Sequence, residues 1–362
     1  MTDCVIVGGG LMGMLSARML HDKGLNVTVV DKGTPGQESS WAGGGILSPL
    51  YPWRYPEPVT RLAALTQGAS EVLAQELLEE TGLDPEWTQS GLLVIDSEEA
   101  LTATAWADEH SDIPLHLLHG QQAITAVEPA IAALHNEAIW MPQIAQFRNP
   151  RLVKALRASL KHRGIPILAD CAVTEIQVTQ GKVIGVNTEQ GPMPAGQVLV
   201  CSGAWSARLV ESWASLPVEP VRGQMLAFAA PHGLLNRMVL HRQHYLIPRR
   251  DGLILAGSTI EHVGFDHSVT QSARDSLTSA AIDILPALKD CQIAHHWAGL
   301  RPGSPNGVPI IGEHADIKGL FINAGHYRNG VVMSWGSCQL LTQLMLGEVT
   351  CCDPQPYRYA FN

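Results

Sequence analysis

The sequence predicts an α/β fold: a Rossmann-like nucleotide-binding domain on a parallel sheet, with an antiparallel-sheet substrate domain (an α+β unit) inserted into it. Three observations predict it. An apolar strand at residues 4–7 runs straight into a glycine turn, Gly8-Gly9-Gly10-Leu11-Met12-Gly13, and an apolar-periodic helix over 11–20. A second apolar run, Val27-Thr28-Val29-Val30, ends in Asp31, 18 residues past Gly13. Parallel-sheet signals return near the C-terminus, whereas residues 218–257 alternate as antiparallel strands do.

Each part of the first unit has a physical task. Gly8 allows the tight turn, Gly10 lets the backbone approach a pyrophosphate, and Gly13 lets the helix pack on the sheet. The helix N-terminus offers unpaired N–H groups to an anion. Asp31 is placed to accept hydrogen bonds from ribose hydroxyls, so the unit reads as an adenine-dinucleotide site.

Further elements follow in order. The segment 36–48 is rich in small residues and fits a backbone pressed against a ligand, and the Pro-aromatic stretch 49–58 fits a rigid loop walling a pocket. Helices are predicted over 60–80, 100–110 and 151–161, the last introduced by Asn149-Pro150, and strands at 91–95, 173–178, 182–187 and 197–201. The strand at 197–201 leads into Ser202-Gly203-Ala204-Trp205-Ser206, a second approach to the dinucleotide, and a final apolar helix covers 331–346. The nucleotide domain is therefore expected to be discontinuous, at 1–85, 146–217 and 296–362, with the substrate domain at 86–145 and 218–295.

Composition narrows the class. A chain of 362 residues, 46% hydrophobic and 16% charged, has material for a large core and more than one lobe. The net charge of −10, with no basic run beyond pairs such as Arg249-Arg250, argues against nucleic acid as a partner. No apolar run reaches the length of a membrane span, and the stretch at 5–7 is too short for a signal sequence, so a cytoplasmic protein is expected. The seven cysteines lack a CxxC pair and read as reduced, buried thiols. Adjacent His295-His296 would point to opposite faces of a strand, and no metal site is expected.

Candidate chemistry lies in the C-terminal half. Arg301, in Trp297-Ala298-Gly299-Leu300-Arg301-Pro302-Gly303, sits in an apolar strand end. A buried guanidinium calls for an anion, either a substrate carboxylate or an internal carboxylate partner. Gly325 to Gly330 offers successive backbone N–H groups ahead of the last helix. Arg328 within it is either a second anion contact or a structural pair, and Tyr245 on a predicted strand either reaches a pocket or packs in the core.

Taken together, the glycine turn, Asp31, the segment 39–46, Ser202 to Ser206, and the pair Ala298-Gly299-Leu300-Arg301-Pro302-Gly303 and Gly325-His326-Tyr327-Arg328-Asn329-Gly330 resemble the glycine oxidases of the FAD-dependent D-amino-acid oxidase family. The resemblance spans nearly the whole chain, in order. It implies an FAD-binding Rossmann-like domain in which Leu11, Met12, Asp31 and Lys32 lie along the adenosine and pyrophosphate. Ser39, Ser40, Gly44, Gly45 and Ile46 would line the diphosphate and flavin, and Val173 would meet the adenine. His326, Tyr327, Arg328, Asn329, Gly330, Val331 and Val332 would surround the flavin ring.

The catalytic set it implies is Arg301 on the substrate carboxylate, assisted by Tyr245, with Arg328 nearby. FAD would be non-covalent, because the segment 297–312 lacks the Cys through which some relatives attach it. Ile260 and Gln243 stand near positions where some family members carry Met and His. The activity implied is oxidation of glycine, sarcosine and small D-amino acids by O2 to the 2-oxo acid, ammonia or amine, and hydrogen peroxide. In that family the reaction feeds the thiazole of thiamine, and a homo-oligomer is expected. A quinone-linked D-amino-acid dehydrogenase, a sarcosine-type oxidase and a non-catalytic flavoprotein partner are the alternatives.

Overall fold

A computed structural model describes residues 2–110, 113–131 and 135–359. Its first sheet has six strands in the order Ile310–Glu313, Leu320–Ala324, Gln197–Val200, Cys4–Val7, Val27–Val30 and Ile167–Leu168. All neighbours are parallel except the Ile310–Glu313 edge strand. The central strands are buried on both faces, which is why they read as unbroken apolar runs. Their two-residue period divides them between two cores: Cys4 and Ile6 pack on one side, and Val5 and Val7 on the other.

The first face is covered by the helices Leu11–Asp22, Glu57–Thr81, Asn149–His162 and Ser334–Leu346. The second carries a small antiparallel sheet, Val173–Thr179, Lys182–Thr188 and Gly191–Pro194. Gly13 explains how the first helix can sit so close to the sheet: a Cβ there would stand 1.9 Å from the Gly8 carbonyl oxygen.

The other large sheet has eight strands in the order Gln292–Gly303, Glu219–Ala229, Leu253–Gly257, His244–Pro248, Met238–His241, Leu92–Val94, Glu137–Met141 and His116–His119. It departs from the purely antiparallel expectation at one place, because Met238–His241 and Leu92–Val94 run parallel. Its longest strands, Glu219–Ala229 and Gln292–Gly303, form an antiparallel ribbon. The Gln271–Ile284 helix, not anticipated from the sequence, backs this sheet and is capped by Thr270 Oγ1, which accepts from the Ala273 N–H at 3.3 Å.

Register decides what this sheet shows to its two sides. Gly257 lies opposite both Met225 and Tyr245, Val221 opposite Arg301, and Gly223 opposite Gly299. Tyr245, Met225, Gly223 and Arg301 therefore share one face. Leu226, Phe228 and Leu246 fill the other, under the Gln271–Ile284 helix.

The last helix begins at Ser334 rather than at 331, because residues 327–329 form a tight turn ahead of it. The cysteine expectation needs a correction as well. Cys4, Cys171, Cys201 and Cys338 are buried, but Cys291, Cys351 and Cys352 are half-buried. The last two follow the C-terminal helix cap, where no further element covers them completely.

Candidate active site

One cleft of about 410 Å³ runs from the Gly8–Gly13 turn to the shared face of the large sheet. Of the residues expected at the site, it is lined by Gly8, Gly10, Leu11, Met12, Asp31, Lys32, Ser39, Ser40, Gly44, Gly45, Ile46, Val173, Tyr245, Arg301, His326, Tyr327, Arg328, Gly330 and Val331. Gly13, Asn329 and Val332 are not on its wall: Gly13 lies behind Gly8, Asn329 is buried, and Val332 belongs to the core. The lining carries four basic side chains, Lys32, Arg208, Arg301 and Arg328, against two acidic ones, Asp31 and Glu38. In a chain of net charge −10 the cleft is thus the place suited to anions.

At the turn end, Gly8 has φ +109°, and a Cβ on it would meet the Cys201 carbonyl oxygen at 2.4 Å. The Leu11–Asp22 helix starts without an acidic residue in its first turn, and its Leu11 N–H donates to Ser40 Oγ at 2.9 Å. Asp31 accepts the Gly9 N–H at 2.6 Å on one oxygen and the Gly33 N–H at 2.9 Å on the other. Each oxygen keeps a lone pair for a ligand hydroxyl. Lys32 lies 3.2 Å over the Trp205 ring and 3.7 Å from Glu38. Trp205 and Arg208, from the segment after the Gln197–Val200 strand, complete this wall.

At the sheet end, three glycines clear space for two side chains. A Cβ on Gly223 would stand 2.1 Å from Arg301 Nη1, one on Gly257 would stand 2.7 Å from the Tyr245 hydroxyl, and one on Gly44 would meet Tyr245 Cε2 at 3.2 Å. Arg301 Nη1 donates to the Thr259 carbonyl at 3.0 Å and Nη2 to Ser258 Oγ at 2.7 Å. Among the described residues no carboxylate forms an ion pair with it. Burial draws its pKa below the usual arginine range, Tyr245 partly offsets this, and the neighbouring Arg328 adds to it. The internal ion pair is therefore not what holds this charge. Tyr245 is buried beside Arg301, and its hydroxyl lies 3.7 Å from Met225 Sδ.

His326 is neutral here, with its pKa drawn down to about 3 by burial and its Nε2 3.1 Å from Ser337 Oγ. Among the lining residues that escaped sequence reasoning, two bear on the chemistry: Ser258, which holds Arg301, and Asn323, whose buried Oδ1 has no partner among the described residues. A third, Arg249, lies behind the wall and donates to the Gly44 carbonyl. An anion-receptive glycine turn, an acid with free lone pairs and a long cleft that continues past an unpartnered amide oxygen fit a dinucleotide bearing a ring system.

Residues 3–344 match the family described as FAD dependent oxidoreductase. The chain belongs to this family. It is 46% identical to a glycine oxidase of Pseudomonas aeruginosa, over 98% of this chain and 97% of that one. It is 31% identical to a bifunctional protein ThiO/ThiG of Synechocystis, over 96% of this chain but 52% of that protein. The crystal structure of glycine oxidase from Geobacillus kaustophilus superimposes with a TM-score of 0.91 at 29% identity, covering 98% of this chain and 97% of that one. The resemblance to glycine oxidases is borne out, and with it an oxidoreductase whose cofactor is FAD. No helix of the described residues is long and apolar enough to cross a membrane.

Proposed function

We propose that this chain catalyses FAD-dependent oxidative deamination of glycine and other small amines, sarcosine and small D-amino acids among them, giving the 2-oxo acid, ammonia or amine, and hydrogen peroxide. The observation that carries the reading is Arg301, a guanidinium at the sheet end of the cleft that is held by neutral acceptors and has no carboxylate partner among the described residues. With two of its five N–H groups engaged, three remain to bind a substrate carboxylate. A small amino acid supplies that anion and little else.

Bound FAD would supply the redox chemistry, as acceptor of two electrons from the substrate and donor of electrons to O2. The protein's part is to bind and orient. Arg301 fixes the carboxylate, Tyr245 adds a hydroxyl beside it, and Arg328 contributes positive charge to the same cleft. Neutral His326 adds none. Leu11, Met12, Asp31, Lys32, Ser39, Ser40, Gly44, Gly45, Ile46 and Val173 are assigned to the cofactor on the strength of their positions along the cleft. Holding the reacting carbon in one place supplies much of the rate.

The same reading keeps 1–85, 146–217 and 296–362 as the FAD-binding domain and 86–145 and 218–295 as the substrate domain, with the strand that carries Arg301 joining the two. It includes a cytoplasmic homo-oligomer and the supply of glycine imine for the thiamine thiazole. The half-length match to ThiO/ThiG supports an oxidase whose product passes to a second activity.

The test is a visible spectrum of the purified protein under anaerobic conditions before and after adding glycine. Flavin bands that bleach, then return on admitting air with peroxide formed, support the reading. A yellow protein that glycine leaves unchanged overturns it. Oxygen consumption separates an oxidase from a quinone-linked dehydrogenase, and relative rates on glycine, sarcosine and D-alanine separate it from a sarcosine-type enzyme.

A further inference from the structure

Asp96 is a carboxylate with only 3% of its surface exposed, and no part of the proposed reaction uses it. It stands where two strands of the large sheet end together. Leu92–Val94 runs parallel to Met238–His241 with Val94 opposite Leu240, and the Ile95 N–H donates to the Leu240 carbonyl at 3.0 Å. Two residues past the strand, Asp96 therefore comes beside the turn at 242–243. It is not among the residues that line the cleft, so it acts through others.

Its two oxygens gather contacts from two other segments. Oδ1 lies 2.7 Å from His241 Nδ1, Oδ2 accepts the Tyr51 hydroxyl, and the Arg242 N–H donates to both, at 3.2 and 3.1 Å. Burial and the Asp96 carboxylate push the Tyr51 pKa up, so that hydroxyl keeps its proton. The Tyr51 oxygen in turn accepts the Gln243 N–H at 3.2 Å. Arg242 and Gln243 have φ of +46° and +71°, a left-handed pair without glycine or asparagine, so these contacts hold the turn against its own preference.

Both segments lead to the substrate end of the cleft. Ile46, Ser48 and Leu50 line its wall. The segment carrying them is fixed at Gly44, where a Cβ would meet Tyr245 Cε2 at 3.2 Å, and at Tyr51, which packs in the same core as Tyr245. The turn at 242–243 runs straight into the strand that bears Tyr245. One buried carboxylate thus sets the spacing between the wall with Leu50 and the strand with Tyr245.

We propose that Asp96 is a positioning residue that limits substrate size, by tying the wall at 46–50 and the Tyr245 strand to one point. The class it favours is a carboxylate-bearing amine with little or no side chain, and its release admits longer chains beside Arg301. The inference rests on the proposed function for Arg301 as the carboxylate anchor. Asp96→Asn keeps the shape but turns one acceptor into a donor, so the Tyr51 hydroxyl and the His241 ring can no longer both donate to it. Tyr51→Phe frees the wall alone and leaves Asp96 with His241 and Arg242.

The test titrates the FAD-bound protein with acetate, propionate and butyrate and follows the flavin absorbance, so it does not depend on turnover. These acids carry the carboxylate and a growing chain but no amine to oxidise. The ratio of the butyrate Kd to the acetate Kd is expected to fall roughly tenfold in Asp96→Asn and in Tyr51→Phe, because the added methylenes no longer meet a fixed wall. kcat/KM for D-2-aminobutyrate relative to glycine should rise with it. A loss of stability alone would not move either ratio. The proposal is overturned if both variants keep the wild-type ratio at full flavin content, in which case Asp96 only braces the turn. Should Asp96→Asn fail to bind FAD, Tyr51→Phe decides alone. If none of the three acids perturbs the wild-type flavin, the carboxylate anchor at Arg301 fails and this inference falls with it.

Discussion

Arg249 Nη2 donates to the Gly44 carbonyl at 2.7 Å, which ties the large sheet to the small-residue segment lining the cleft. Its Nη1 serves Gln146 Oε1 at 2.6 Å and the Phe147 carbonyl at 2.9 Å. No carboxylate bonds it among the described residues, and burial lowers its pKa to about 10. Arg249→Ala would leave two buried acceptors, on Gln146 and Phe147, and the half-buried Gly44 carbonyl without this donor. The expected loss is about 2–4 kcal/mol of unfolding free energy, with FAD bound at least roughly tenfold more weakly. Denaturant unfolding and flavin-fluorescence titration check both. Full FAD affinity in a destabilised variant would show that Arg249 supports the fold without shaping Gly44.

For Arg301→Ala the expectation is different, since this guanidinium holds no part of the fold beyond Thr259 and Ser258. kcat/KM for glycine should fall by about 2–4 kcal/mol equivalent, as a charge-assisted bidentate contact is lost, while bound flavin stays. Steady-state kinetics beside the flavin-to-protein absorbance ratio measure this. An unchanged kcat/KM would remove Arg301 from substrate binding.

Gly223→Ala tests the same contact from behind. The backbone at Gly223 is ordinary strand, so the penalty is space: the new Cβ would lie 2.1 Å from Arg301 Nη1. The guanidinium has to leave Thr259 and Ser258 to make room. KM for glycine is expected to rise roughly tenfold or more, about 1.4 kcal/mol, with flavin content unchanged. A wild-type KM would mean that Arg301 binds substrate equally well from another position.

What could be read in the sequence was what is local. The Gly8–Gly13 turn, Asp31 and the strand-helix-strand around them are set by neighbours in the chain, and their spacing carries the geometry. Arg301 stood out because an arginine in an apolar strand is anomalous wherever it lies. Whether it had a carboxylate partner was not legible, since the answer lies in Ser258 and Thr259, brought to it by a separate connection. Gly223 and Gly257 carried no signal, because a strand glycine gains its meaning only from what the register places beside it. Arg249 and Arg250 read alike as one basic pair, yet Arg249 is buried while Arg250 bonds Thr88 and Asp84 at the surface.

His326 sets a pH dependence. It is neutral when folded, with its pKa drawn by burial to about 3, and binds a proton at its ordinary pKa when unfolded. Between those values the unfolded chain holds more protons, so stability is intact above about pH 6.5 and declines as pH falls toward 3. By pH 4 this group alone accounts for about 3 kcal/mol. His326→Gln should therefore show a flatter fall of Tm between pH 6.5 and 4 than the wild type. Parallel curves would mean that His326 gains a proton without unfolding.

Glu261 connects stability to the site. Its carboxylate accepts from Thr259 Oγ1, from Gln224 Nε2 at 2.9 Å and from buried Arg222 Nε at 3.0 Å, and the carbonyl of that same Thr259 receives Arg301. In Glu261→Gln the amide cannot balance Arg222, which keeps only its Asp266 ion pair. About 2 kcal/mol of stability should be lost. If the carboxylate also sets where Thr259 stands, KM for glycine rises while kcat is unchanged, and Glu261→Asp recovers part of both. A loss of stability with wild-type KM would confine Glu261 to holding the sheet, and would leave Ser258 as the contact that aims Arg301.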